Sequence, residues 1–402
     1  MSVIQTYNQF AGRHWETGSV ANVLAFQFEG TDAALSEAML LGISGGVAFG
    51  YFVFDYEGTD PHVSLLSRNT FDPLDTLFER LAIPQEIFHT ADGGKAERNL
   101  SDVLEDGRPA IVWADFFHLP YNAMSPSDEM WAMLPIVVFG MEDGLVHIAD
   151  RSLQPLTVSA EQLTIARGRI KKDKNRVLAL GMPNMSRLPE AIEQGIRQCL
   201  ALYTEPPPKG GRDSFGFAAY EKFAAMLTNT RNKQSWARLL PPGARMYAGL
   251  AGSGFQPGAF GWARTFPSNQ VQDRLLYAQF LDEAAQVLNK PALKDVAEHF
   301  IESSDAWMKL SETLLPESVP MLDETRRLLL KRNEQFATHG QDAIQDIREI
   351  SAQLSALRVE AEAEFPLSEE EAAEMRRVIA VRVRKVADIE REAITALDDA
   401  MA

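Results

Sequence analysis

Apolar residues along the first part of the chain switch repeatedly between a period near two and a period near four. Val47–Phe54 is dense in aromatic and branched residues and predicts a strand. Residues 35–41 before it predict a short apolar helix end, with a glycine turn between the two. Asp72 reads as a cap and Pro73 as the first helical position of a helix whose Leu74, Leu77, Phe78 and Leu81 share one face. Residues 110–114 and 136–139 predict buried strands and Leu145–Ala149 a third. Glu142-Asp143-Gly144 supplies the hairpin turn between the last two. Ser159 with Gln162 three positions on is a capping box that starts another helix.

From Leu188 onward the pattern is almost entirely helical. Ile192, Ile196, Cys199 and Tyr203 recur at steps of four, three and four, which places Cys199 in a core-facing stripe. Three prolines and two glycines in residues 205–212 interrupt the helical pattern and predict a linker. Helices are expected around residues 217–227, 275–288, 293–314 and 321–336, the last two as a hairpin. Ile347, Ile350, Leu354, Leu357 and Ala361 form a further stripe. Pro366 breaks it, Ser368 and Glu371 cap a new helix, and Ile379, Val383, Val386, Ala393 and Leu397 line that helix. This second hairpin could pack on its own chain or on a second copy. The division expected is therefore 1–182 as a mixed domain, 183–340 as a helical domain and 341–402 as a C-terminal helical hairpin.

Composition narrows the function classes. A net charge of −17 opposes binding to polyanions, so neither nucleic acid nor an anionic membrane surface is an expected partner. Residues 38–54 carry no charge, but the stretch is too short and too rich in glycine to span a bilayer. One cysteine, Cys199, permits no internal disulfide and no multi-cysteine metal site. Residues 1–8 have neither a basic nor an apolar leader region. Together these favour the cytoplasm.

Several blocks carry a resemblance. Gly12-Arg-His-Trp-Glu-Thr-Gly-Ser-Val-Ala-Asn-Val-Leu24 and Leu35-Ser-Glu-Ala-Met-Leu-Leu-Gly-Ile-Ser-Gly-Gly-Val-Ala-Phe-Gly-Tyr-Phe52 are two of them. Ala114-Asp-Phe-Phe-His-Leu-Pro-Tyr121 and Val137-Val-Phe-Gly-Met-Glu-Asp-Gly-Leu-Val-His-Ile-Ala-Asp150 are two more. In this order they resemble the N-terminal domain of the butirosin biosynthesis protein H family. Trp236-Ala-Arg-Leu-Leu-Pro-Pro-Gly243 and Leu276-Tyr-Ala-Gln-Phe-Leu-Asp-Glu-Ala-Ala285 resemble the helical domain of unknown function that often follows it. The resemblance implies an α+β chain: a papain-like, cysteine-protease-like domain and then an all-helical domain. It also implies acyl transfer from an acyl carrier protein to an aminoglycoside amine, through a cysteine at the start of the first helix. The helix dipole and a histidine would lower the thiol's pKa, and an acid would orient the histidine.

Against that pattern the nucleophile position, after His14, is Trp15. Met133-Leu134-Pro135 stands where the histidine is expected, and only the acid survives, as Asp150. An indole cannot attack a carbonyl. The expectation is a catalytically degenerate relative acting as a binding or accessory protein in small-molecule or peptide metabolism. An acyltransferase or amide hydrolase with a non-cysteine nucleophile is one alternative, and a scaffold acting through the C-terminal hairpin is another. The pocket candidates are His14, Trp15, Glu16, Thr17, Asp115, Tyr121 and Asp150, with Ser19 also in the first turn. Asp115 and Asp150 end buried strands and could hold an amine or a cation, or bond loop amides. His118 and His147 could join them as metal ligands, but their spacing matches no metal motif, and neither metal nor cofactor is expected.

Gly42-Ile-Ser-Gly-Gly46 formally matches a serine-hydrolase elbow, yet it follows a helix and precedes a strand, the reverse of the required context. Arg167, Arg169, Lys171, Lys172, Lys174 and Arg176 make the one basic run. It reads either as a solvated helix end or, through Arg169, Lys171, Lys172 and Lys174, as a dock for an acidic carrier protein. A small-molecule ligand and a homo-oligomer built through 341–402 complete the expected partners.

Overall fold

The computed structural model describes residues 3–126, 130–254, 256–266 and 273–402; Met1 and Ser2, which open the segment read for a leader, lie outside the described residues. In chain order the helices are α1 (Trp15–Gln27), α2 (Glu37–Ile43), α3 (Pro73–Arg80), α4 (Gly93–Glu105), α5 (Ala160–Gly168), α6 (Leu188–Thr204) and α7 (Gly216–Thr228). They continue with α8 (Trp236–Leu239), α9 (Ala244–Ala251), α10 (Arg274–Val287), α11 (Ala292–Leu314), α12 (Pro320–His339), α13 (Ile344–Ala363) and α14 (Glu369–Met401). The strands are β1 (Val47–Phe54), β2 (His62–Arg68), β3 (Gln85–Phe88), β4 (Ala110–Asp115) and β5 (Met133–Glu142). Then come β6 (Leu145–Ala149), β7 (Leu156–Ser159), β8 (Val177–Leu180), β9 (Gly252–Ser253) and β10 (Gln256–Pro257). This is the expected α+β class. No helix among the described residues is long and apolar enough to cross a membrane.

Contacts divide the chain into two compact units that do not follow sequence order. One comprises residues 1–40, 74–188 and 334–349, the other residues 41–73, 189–333 and 350–402. The expected division at 182 and 340 assumed consecutive segments; the chain instead contributes three separate stretches to each unit.

The first unit is built on an antiparallel sheet of order β3-β8-β4-β5-β6-β7 among the described residues. Its centre is apolar on both faces: β4, β5 and β8 are almost wholly buried. The predicted strands 110–114, 136–139 and 145–149 lie inside β4, β5 and β6, and Asp143 and Gly144 take the positive φ of the turn between β5 and β6. The capping box at Ser159 starts α5 as read, with both reciprocal bonds formed. α1 packs on β5 and β4, and the Ser19 hydroxyl donates to the Pro135 carbonyl at 3.2 Å. Residues 334–349 are tied on beside β7. The Leu153 amide donates to the Ala337 carbonyl at 2.8 Å, and the Thr157 amide donates to Gln341 Oε1 at 2.7 Å.

The second unit joins the β1–β2 hairpin to the helices. Phe49 stacks on Tyr220 at 3.9 Å and Tyr51 on Phe223 at 4.7 Å, so the hairpin's aromatic face belongs to α7. At the glycine turn after α2, Gly46 has φ +65°, and a Cβ there would meet the Tyr277 ring at 2.5 Å. Only glycine fits that turn.

The helix pairings differ from the two hairpins expected. α11 lies along α10 and α14, and α14 lies along α11 and α7. The apolar face of α14, left open between its own chain and a second copy, is buried on its own chain at Ile379, Val383, Val386, Ala393 and Leu397. The reason sits in the middle of that stripe. Glu390 is wholly buried and accepts bonds from Arg274 Nε at 2.7 Å, Tyr203 at 2.6 Å, Tyr220 at 2.7 Å, Ser303 at 2.7 Å and Trp307 at 3.0 Å. Those donors come from α6, α7, α10 and α11. A buried carboxylate needs partners of this kind, so the helix is drawn to where they are. Burial opposes its charge, but Arg274 and the hydroxyl donors more than offset that and hold its pKa below the ordinary carboxylate value.

Candidate functional site

The start of α1 is organised by a carboxylate from α2. Glu37 accepts from the Arg13 amide at 2.6 Å, from the His14 amide at 2.8 Å and from the Thr17 hydroxyl at 2.9 Å. An anion at a helix N-terminus satisfies exposed amides and suits the dipole. The chain reaches this turn through Gly12, at φ +149°, where a Cβ would lie 3.0 Å from the Gly18 Cα. His14 is the extended N-cap and Trp15 the first helical residue. His14, Thr17 and Ser19 are buried, and Glu16 is half-buried.

Trp15 is only 7% exposed. Its ring meets Phe116 edge-on at 6.2 Å, and the Arg151 guanidinium lies over its face at 4.4 Å. The same guanidinium lies 4.7 Å from the Phe336 ring, so the cation contacts two rings. Tyr121 stacks on Phe336 at 6.3 Å. Polar contacts complete the group. Arg151 Nε donates to Asp150 at 3.2 Å, Arg151 Nη2 to Asn122 Oδ1 at 2.8 Å, and the Tyr121 hydroxyl to Asp150 at 3.2 Å. Burial, with the Asp150 charge beside it, raises the pKa of Tyr121 well above its ordinary value. Asp150 follows β6, and Phe116–His118 forms a 3₁₀ turn straight after β4. The start of α1, the turn after β4 and the end of β6 thus meet around Arg151, which touches Trp15 and bonds Asp150, itself bonded by Tyr121.

Asp115, the last residue of β4, is wholly buried. One oxygen accepts the Ala132 amide at 2.8 Å and the other lies 2.5 Å from His118 Nδ1. Arg169 Nε stands 3.9 Å from the same carboxylate. Asp115 thus accepts a loop amide, and its other oxygen pairs with the His118 ring. His147 lies elsewhere, on β6 against Phe139 at 5.7 Å. Among the described residues no three His, Cys, Asp or Glu side chains gather as a metal site would need.

The basic run is not one patch. Arg167 is buried and donates to the Asn175 carbonyl at 2.8 Å, Arg169 turns toward Asp115, and Arg176 lies over the Trp113 ring at 4.1 Å. Lys171, Lys172 and Lys174 are exposed, the first two on a 3₁₀ turn. The charge of the run is divided because its arginines reach aromatic, carbonyl and carboxylate partners that the sequence spacing does not reveal. Cys199 packs in the core as expected: it is wholly buried, it bonds the Val47 carbonyl at 3.2 Å, and burial pushes its thiol up to about 12. Ser44 of the glycine turn is buried and donates to the Leu41 carbonyl at 2.8 Å, between α2 and β1 as the reversed elbow context implied.

Sequence reasoning missed Glu37, Phe116, Asn122, Arg151 and Phe336. Arg151 adjoins Asp150, and a charged pair at the end of a buried strand was a usable signal. Phe336 carried none, since it reaches the site from the third stretch of its unit.

Comparison with known families fits this geometry. Residues 14–151 match the family model for the butirosin biosynthesis protein H N-terminal domain. The resemblance read from the blocks between Gly12 and Asp150 is thereby shown for residues 14–151. The matched span begins at the cap of α1 and ends at the stacked arginine, so the Trp15–Asp150–Arg151 group lies within it. No curated protein matches the chain.

Proposed function

We propose that this protein is a catalytically degenerate, papain-like relative of an acyl-carrier-protein-dependent aminoglycoside acyltransferase. In this reading it serves as a binding or accessory protein in small-molecule or peptide metabolism. One observation carries the proposal: the helix start from which a thiolate would act holds Trp15, with its face covered by Arg151 at 4.4 Å. Asp150, the surviving acid, is engaged by Tyr121 and Arg151. Thiol chemistry cannot be relocated to Cys199, because a wholly buried thiol pushed up to about 12 supplies almost no thiolate at neutral pH.

The test is covalent labelling. The full chain is incubated with an acyl thioester of N-acetylcysteamine, and separately with iodoacetamide, then weighed intact. The expected result is an unchanged mass with both reagents, and a single alkylation after unfolding in guanidinium. An acyl adduct on any residue of 1–182 would remove the proposal.

A further inference from the structure

The family's missing histidine has no substitute at Asp150, but the same unit holds an imidazole oriented by a different carboxylate. Asp115 is fixed by position and by bonding: it ends a buried strand, is itself wholly buried, and has one oxygen occupied by the Ala132 amide. Its second oxygen lies 2.5 Å from His118 Nδ1. A carboxylate only accepts, so the proton of neutral His118 sits on Nδ1 and the lone pair on Nε2. No described residue bonds Nε2, and the His118 side chain keeps 14% exposure. The two residues, three apart in sequence, meet because Phe116–His118 turns as a 3₁₀ helix directly after β4. The ring of Phe116, within that turn, is the one Trp15 meets edge-on.

We infer that Asp115 and His118 form an acid–base pair, with His118 Nε2 as a general base for a water or hydroxyl and Asp115 as its positioning residue. The pair is separate from the cysteine position and goes beyond the binding role proposed above, which denies an acyl-enzyme but not proton transfer. On an ester the step balances simply. Nε2 takes a proton from water as the water oxygen bonds to the carbonyl carbon. Collapse of the tetrahedral adduct breaks the bond to the leaving oxygen, and the imidazolium returns its proton to that oxygen. Acid and alcohol leave, and no group remains on the protein.

The probe is p-nitrophenyl acetate, hydrolysed by the full chain, by His118→Asn and by Asp115→Asn. The companion measurement is the ¹⁵N tautomer signature of His118 in histidine-labelled wild-type protein. Wild type should release p-nitrophenolate above buffer, and H118N should lose most of that rate, on the order of ten-fold or more. D115N should lose a comparable share, with His118 shifting toward the Nε2-protonated tautomer. Three results overturn the inference: a wild-type rate equal to buffer, an H118N rate that keeps most of the wild-type value, or an Nε2-protonated ring in the wild type. The tautomer is read on unaltered protein, so it decides even where a variant fails to fold. An acyl adduct in the labelling experiment would sink the binding role and leave this pair untouched.

Discussion

Each unit buries an arginine against a carboxylate and a tryptophan, yet the two groups are built for different ends. In the helical unit Arg274 and Glu390 are wholly buried, and the guanidinium lies 5.6 Å from the Trp307 ring. Arg274 donates to Glu390, to the Ser67 carbonyl at 2.8 Å and to the Ala48 carbonyl at 3.1 Å, so helix, hairpin and charge are locked together. In the sheet unit Arg151 keeps 10% side-chain exposure and leans mainly on ring faces, with two polar partners at strand and turn ends. The first arrangement closes a core around fully satisfied charges. The second covers the start of α1 at the ends of the strands, and its arginine keeps some contact with water.

The largest effect separating them should come from breaking the closed pair. Arg274→Met leaves Glu390 buried without its cation, and the expected loss is about 3–5 kcal/mol in urea unfolding. The double variant Arg274→Met, Glu390→Leu should recover much of that loss, because the uncompensated charge is gone. A double variant as unstable as R274M would show that shape rather than charge holds the centre. The pH dependence has a definite sign. Glu390 has its folded pKa below its unfolded value, so the stability it contributes is present above the ordinary carboxylate range. It is lost as pH falls through that range and below it. Wild type should therefore weaken on acidification more steeply than the R274M, E390L double variant.

The stacked group should respond less. A cation over an aromatic face contributes about 0.5–2 kcal/mol, depending on desolvation. Arg151→Met should cost about 1–2 kcal/mol, and a double-mutant cycle with Trp15→Leu should show a coupling of about 0.5–1.5 kcal/mol between the two side chains. Zero coupling would mean that Arg151 lies over Trp15 without holding it, and the proposed cover over the start of α1 would lose its energetic basis.

How far these two centres could be read in the sequence differs for a physical reason. Local periodicity and capping signals located β1, β4, β5, β6 and the starts of α5 and α14, because each depends on residues within one or two turns. The strands β3 and β8 were not visible: β3 is an edge strand with mostly exposed side chains, and β8 is four residues following a basic run. Glu390 was visible in principle. It falls three-plus-four residues after Val383, four after Val386 and three before Ala393, a charge inside an apolar stripe, and such a charge demands a partner. Its identity as Arg274 was not visible, since the pairing spans 116 residues. The candidate site was half legible. Trp15, Tyr121 and Asp150 came from motif positions, while Glu37, Arg151 and Phe336 enter through tertiary packing that no local pattern encodes.

The smallest prediction compares one hydroxyl in each centre. Tyr220 donates to Glu390 at 2.7 Å from a site closed to water, and Tyr121 donates to Asp150 at 3.2 Å beside a partly exposed arginine. Tyr→Phe removes the same atom in both. Hydrogen bonds to charged groups contribute about 1.5–3 kcal/mol when nothing replaces them, and about 0.5–1.5 kcal/mol in ordinary settings. Tyr220→Phe should therefore cost about 2 kcal/mol and Tyr121→Phe about 1 kcal/mol, read from urea midpoints at constant slope. If the order were reversed, the rim group would be the tighter of the two. Arg151 and Asp150 would then have to be regarded as a second structural core rather than as a cover over the start of α1.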